Sequence, residues 1–245
     1  MHSVLVYHSI SSPIEPLEAD ADISPERFER QLQWLSRWRK VARLEDTLPP
    51  QRRSLVAITF DDGYRDNLTV ALPLLEKFQL PMTLFVAAGF VGREGFLSRE
   101  ELREISRHPL VTIGAHGFWH RHFNQLSVAD ARFELTESRQ LLGEITGKTV
   151  DLLAWPYGEC NAELESLSEE CGFRASWSVW KGTNSIHSRW RVPLGRRDNL
   201  TRFVIKSSGF YALTKAKWHR HGQRTEVGGQ RTEVKVGTSA LTSDR

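Results

Sequence analysis

Short apolar runs alternate along this chain with stretches whose apolar residues recur at helical spacing, and few architectures accept that alternation. The runs are Val4 to Tyr7, Leu55 to Phe60, Met82 to Ala88, Val111 to Ala115, Leu152 to Trp155, Phe173 to Val179 and Val192 to Leu194. Continuous apolar strands separated by helices are the mark of βα units, in which a parallel sheet is buried on both faces. The helical stretches carry their own punctuation. Ser24-Pro25 opens one, with Phe28, Leu32, Leu35 and Trp38 as its buried stripe. Ser98 with Glu101 forms a capping box, a long helix runs from Ser127 to Gly147, and Asn161 to Cys171 ends against Gly172.

Composition bounds the class. With 245 residues, 40% hydrophobic and 26% charged, the chain can bury one large α/β core, which excludes a disordered, collagen-like or disulfide-scaffold protein. Cys160 and Cys171 are expected as free thiols. The net charge of +3 and a pI near 9.0 invite a nucleic-acid reading, but the excess is local. From Arg202 to Arg245 there are nine basic residues and three acids, a net of +6, so residues 1–201 carry 3 − 6 = −3. No nucleic-acid partner is expected. The segment GQRTEV at 222–227 recurs at 229–234 without large apolar residues, so 219–245 reads as a disordered basic tail after a domain spanning 1–218. No run approaches the roughly eighteen apolar residues of a membrane span, and the start lacks a basic segment leading into a long apolar one. The expectation is a cytoplasmic chain with no transmembrane segment.

The chemistry-bearing residues follow strands. Thr59-Phe60-Asp61-Asp62-Gly63-Tyr64 ends the second run. Two adjacent carboxylates repel, so they can be buried only if a cation or proton holds one of them; in water, Asp-Asp-Gly is an ordinary turn. Gly114 to His120 follows the fourth run and contains His116 and His120. Histidines four apart lie on one face of a helical turn and can share a metal ion, or they can be satisfied within a core or surface. One or two carboxylate oxygens and two imidazoles with positions left open suit Zn²⁺, and Fe²⁺, Co²⁺, Mn²⁺ or Ni²⁺ also fit. Trp155-Pro156-Tyr157-Gly158 ends the fifth run, where a turn can leave a backbone N–H facing a pocket.

Three segments in this order resemble the polysaccharide deacetylases, the family 4 carbohydrate esterases with a chitooligosaccharide deacetylase homology domain, over about residues 1–212. The resemblance implies a distorted (β/α) barrel of about seven strands. It implies Asp62, His116 and His120 as metal ligands, Asp61 as general base and the Tyr157 N–H as an oxyanion donor. Trp119, Trp155, Trp177 and Trp180 lie in or near these loops, and one or two of the four are expected to line a groove and stack on sugar rings, with Trp155 and Trp177 the choice.

The chain departs from the family at two points. An arginine common two residues before the proline of the third motif is replaced by Ala154, and no Leu-x-His motif follows Trp180. The opening Val4-Leu5-Val6-Tyr7-His8-Ser9 resembles the permuted branch containing the poly-β-1,6-N-acetylglucosamine deacetylases, whose acid histidine comes from the first strand, so His8 is the expected general acid. The stretch Arg191 to Asp198 resembles that branch's late arginine-bearing strand, with Arg196 expected to orient Asp61 and Arg197 as the alternative. The implied activity is metal-dependent removal of N-acetyl groups from an amino-sugar glycan, polymeric or lipid-linked, in exopolysaccharide biosynthesis. The alternatives are a related barrel hydrolysing a cyclic amide and a non-catalytic carbohydrate-binding relative.

Overall fold

The computed structural model describes residues 2–10, 20–49, 54–180, 182–209 and 211; the expected tail, 219–245, and its boundary at 218 lie outside the described residues. Eight parallel strands form one sheet: β1 (Ser3–Tyr7), β2 (Val56–Phe60), β3 (Met82–Val86), β4 (Val111–Ala115), β5 (Leu152–Ala154), β6 (Ala175–Ser178), β7 (Arg189–Trp190) and β8 (Val192–Pro193). Their order is β7-β6-β5-β4-β3-β2-β1-β8. A single residue, Arg191, separates β7 from β8, so one stretch of backbone pairs with β6 through Trp177↔Arg189 and with β1 through Leu5↔Val192. That stretch closes the sheet. Taken as one strand, residues 189–193 make the barrel seven-stranded, which is the distorted (β/α) barrel the sequence implies.

Helices α1 (Pro25–Trp38), α2 (Leu72–Phe78), α3 (Arg99–Arg107), α4 (Val128–Thr146), α5 (Ala162–Glu170) and α6 (Leu200–Ser207) lie along the chain between or after the strands. Their ends follow the sequence signals: Ser24, Ser98, Ser127 and Asn161 each accept a first-turn backbone N–H. Ser98 and Glu101 complete the capping box, and Gly147 ends α4 at φ 69°. Trp38 departs from expectation: it is 63% exposed beneath the Arg37 guanidinium, and the polar residue Gln31 is buried instead, accepting from Tyr7 Oη at 2.9 Å.

Strand alternation divides the core in two. Val4, Ala57, Phe85, Leu152, Ala154, Ala175 and Trp177 pack with Leu44 as one small cluster filling the barrel, while Leu5, Ile58, Leu84, Ile113 and Leu153 pack outward in the large cluster beneath the helices. Gly114 keeps the interior open for Phe85, whose ring a Cβ at that position would meet. The same alternation, carried one step past the strand ends, gives His8, Asp61 and His116 the parity of the interior residues Val4, Ala57 and Gly114. Cys160 and Cys171 are both free and buried.

The connection between β6 and β7 is pinned to α5. Glu165 accepts from the Thr183 N–H and hydroxyl at 2.7 and 2.6 Å and from the Ser185 hydroxyl at 2.7 Å, and His187 Nδ1 lies 3.1 Å from Ser168 Oγ. Burial lowers the His187 pKa from 6.5, with Glu169 and Glu165 opposing it in part. A histidine depressed in the folded state contributes stability that is complete above its unfolded pKa and lost as pH falls through its folded one. His187→Gln is therefore expected to lose less stability than the parent on going from about pH 7.5 to about 5.5, read from urea midpoints; equal losses would contradict this.

Candidate active site

The end of β2 delivers both carboxylates. Asp61 is 3% exposed, its N–H donates to Tyr7 O at 2.9 Å, and its two oxygens accept from Arg191 Nη1 and Nη2, each at 2.7 Å. This is a bidentate, buried, charge-assisted pair. Burial by itself would raise the Asp61 pKa, but Arg191, His116 and His8 together hold it below its ordinary value. Asp62, 1% exposed, turns the chain at φ 75°, a left-handed conformation that Asp and Asn tolerate better than most residues. Its Oδ1 lies 3.4 Å from His116 Nε2 and 3.3 Å from His120 Nε2.

His116 follows β4, with its N–H donating to Val86 O at 2.9 Å. Its Nδ1 donates to the Ala154 carbonyl at 2.8 Å, which fixes the tautomer and leaves the Nε2 lone pair facing Asp62. Burial, the largest influence, pushes the His116 pKa down to about 4, so the ring is neutral near pH 7. The expected helical turn between the two histidines is absent. Residues 116–120 form an irregular loop with Gly117 at φ 70° and His120 at φ 54°, and it is this reversal, not helical spacing, that brings the rings to 4.9 Å. The Tyr157 ring stands edge-on to His120 at 4.6 Å and stacks on His122 at 3.8 Å, and His122 Nδ1 in turn lies 3.0 Å from Glu159.

Asp62, His116 and His120 fit a divalent cation. One ligand atom from each lies within 4.8 Å of the others, and neither Asp62 oxygen accepts a hydrogen bond of good geometry although both are buried. A buried carboxylate facing two imidazole nitrogens, at least one of them carrying no proton, is the donor set for a metal rather than for a hydrogen-bond network. His8 follows β1, 6% exposed, near enough for its charge to lower the pKa of both Asp61 and Asp62.

Several expected residues stand elsewhere. Arg196 does not reach Asp61: it leaves the barrel after β8 and pairs with Asp22 at 2.7 Å, while Arg197 pairs with Asp20 at 2.9 Å. Arg191 holds Asp61 because it interrupts the closing strand and turns inward, fully buried, over the Phe85 ring. Trp155 and Trp177 are both 0% exposed and cannot meet a glycan: Trp177 fills the barrel against Phe85, and Trp155 packs on Phe123 and donates to Ser176 Oγ and His187 O at 3.0 Å. Tyr157 lies at the site with φ 55°, so its peptide is turned out of the path of β5. Asp66 and Asn67 carried no sequence signal. Asp66 accepts from Ser9 Oγ at 2.5 Å and the Ile10 N–H at 3.1 Å, and Asn67 Nδ2 donates to His8 O at 2.8 Å, so the π-turn opening α2 holds the His8 segment in place.

Residues 49–176 match the polysaccharide deacetylase family, just over half of the chain. The chain belongs to that family. Among relatives of this deacetylase-family chain, YxkH of Bacillus subtilis, which carries polysaccharide deacetylase as a provisional name, is 27% identical over 194 residues, covering 74% of this chain and 66% of its own. The poly-beta-1,6-N-acetyl-D-glucosamine N-deacetylase of Staphylococcus aureus is 26% identical over 224 residues, covering 84% and 74%. The deacetylase PplD of Streptococcus pyogenes shares the fold with a TM-score of 0.74 at 20% identity, covering 84% and 97%. Among the described residues, no helix is long and apolar enough to cross a membrane.

Proposed function

We propose that the chain hydrolyses the N-acetyl group of an amino-sugar glycan, releasing acetate and a free amine. The observation that carries this reading is the Asp62, His116 and His120 set beside a second buried carboxylate, Asp61, whose oxygens are locked by Arg191. A divalent cation held by that set, Zn²⁺ by preference, supplies Lewis-acid polarisation of the acetyl carbonyl and lowers the pKa of water.

Asp61 takes the proton of the attacking water. Arg191 engages both of its oxygens, yet a carboxylate has about four acceptor positions, so proton uptake is still open to it. The Arg191 charge keeps it ionised, and the fixed fork aims it. The Tyr157 N–H donates to the developing oxyanion, and His8 gives a proton to the departing nitrogen, which otherwise leaves poorly. Trp119, 42% exposed and one residue from His120, offers the aromatic surface to a sugar ring that Trp155 and Trp177 do not. Family membership and the resemblance to the Staphylococcus aureus enzyme favour β-1,6-linked N-acetylglucosamine as the first glycan to test.

The test is acetate release from N-acetylglucosamine oligomers, run beside a panel of cyclic amides. Activity on the oligomers, its loss by at least about 100-fold on chelation and its return with Zn²⁺ or Co²⁺ are expected. Undiminished rates in metal-stripped protein, or turnover of the cyclic amides alone, would overturn the reading.

A further inference from the structure

The loop joining the two histidines is held by a residue outside every motif. Glu134, in the first half of α4, is 0% exposed, and its Oε2 accepts the consecutive backbone N–H groups of Phe118 and Trp119, both at 2.7 Å. The carbonyls of the same loop are also engaged: Ala88 N–H donates to Gly117 O at 3.1 Å and Gly89 N–H to Phe118 O at 2.8 Å. A Cβ on Gly117 would sit 3.3 Å from Glu134 Oε2, so the carboxylate fits directly under the turn. Its other oxygen, Oε1, is buried and accepts no hydrogen bond among the described residues. A carboxylate buried with so little compensation is costly, and its two strong bonds both go to the three residues between His116 and His120.

We infer that Glu134 is a positioning residue for the cation site: by taking both N–H groups it imposes the reversal that turns His120 back toward His116 and Asp62. An isolated loop has no reason to keep Gly117 and His120 both at positive φ. Loss of a group that orients metal ligands typically costs about 10- to 100-fold in metal affinity. The inference rests on the metal site of the proposed function, and the experiment separates the two.

Zn²⁺ alone is titrated into the metal-stripped full chain against a chelating indicator, for the parent and for Glu134→Ala, Glu134→Asp and Glu134→Gln, with urea midpoints of the metal-free proteins alongside. Failure of the parent to bind Zn²⁺ would sink the metal site itself. With the parent binding, Glu134→Ala is expected to weaken affinity roughly 10- to 100-fold, and Glu134→Asp, which keeps the charge but withdraws it by one methylene, at least about 5-fold. Glu134→Gln, whose single carbonyl oxygen can accept both N–H groups, is expected to bind within about 3-fold of the parent. A merely structural role would lower the urea midpoint and leave the affinity of the folded protein unchanged. Parental affinity in Glu134→Asp, or in folded Glu134→Ala, would overturn the inference, as would a Gln variant as impaired as the Ala variant. If Glu134→Ala does not fold, the Asp and Gln variants decide it.

Discussion

Asp61→Asn should lower acetate release by about 100- to 10,000-fold while leaving cation affinity within a few-fold of the parent. The amide has the shape of the carboxylate but cannot take a proton, and Asp61 is outside the set whose ligand atoms cluster. Asp62→Asn should do the reverse in its first effect. Asn tolerates the left-handed backbone at position 62, so the turn survives, but the one anionic ligand is gone and Zn²⁺ binding should collapse, carrying activity with it. Titration with Zn²⁺ followed by rate measurement on each variant tells them apart. Near-parental rates in both would show that this pair does not do the chemistry, and loss of metal from Asp61→Asn would exchange the two roles.

Arg191→Met should destabilise the protein by about 3–5 kcal/mol, because it leaves a buried carboxylate without its cation. Asp61 is 3% exposed and Arg191 fully buried, so bulk solvent compensates little for the lost guanidinium. Arg191→Lys should recover only part of the loss, since a point charge cannot engage both oxygens as the fork does at 2.7 Å. The double variant Arg191→Met with Asp61→Asn should be more stable than Arg191→Met alone, as removing both charges removes the unpaired one. Urea denaturation of the four proteins completes the cycle. A loss below about 1 kcal/mol in Arg191→Met would mean that the pair behaves as a solvent-screened contact and not as the buried one the geometry shows.

The barrel and much of the candidate site were legible because both depend on local pattern. Apolar runs located every strand but β7, and the motifs at their ends named Asp61, Asp62, His116, His120 and Tyr157, all of which the structure gathers. The arginine was misplaced within the correct stretch. Starting the last strand at Val192 put Arg191 outside it, whereas strand alternation extended one residue back sets Arg191 on the face opposite Val192, toward the interior. Trp155 and Trp177 were misread because proximity to a motif in sequence says nothing about which face of a strand a side chain takes, and both are fully buried. Glu134, Asp66 and Asn67 had no local signal at all. Each acts by accepting or donating to backbone 15 to 59 residues away, which only the tertiary structure brings near.

The closing strand ties assembly of the site to the last act of folding. The hydrogen bonds that seal the barrel against β1 and the guanidinium that steadies Asp61 belong to one five-residue stretch, and Arg191 finds its carboxylate across 130 residues of sequence. So distant a pairing carries a large loop-closure cost, and it cannot form before residue 191 has been made. During synthesis, a nascent chain that has completed β1 to β6 would carry Asp61, Asp62, His116 and His120 with no guanidinium beside Asp61, so that carboxylate is clamped and aimed only when the barrel shuts.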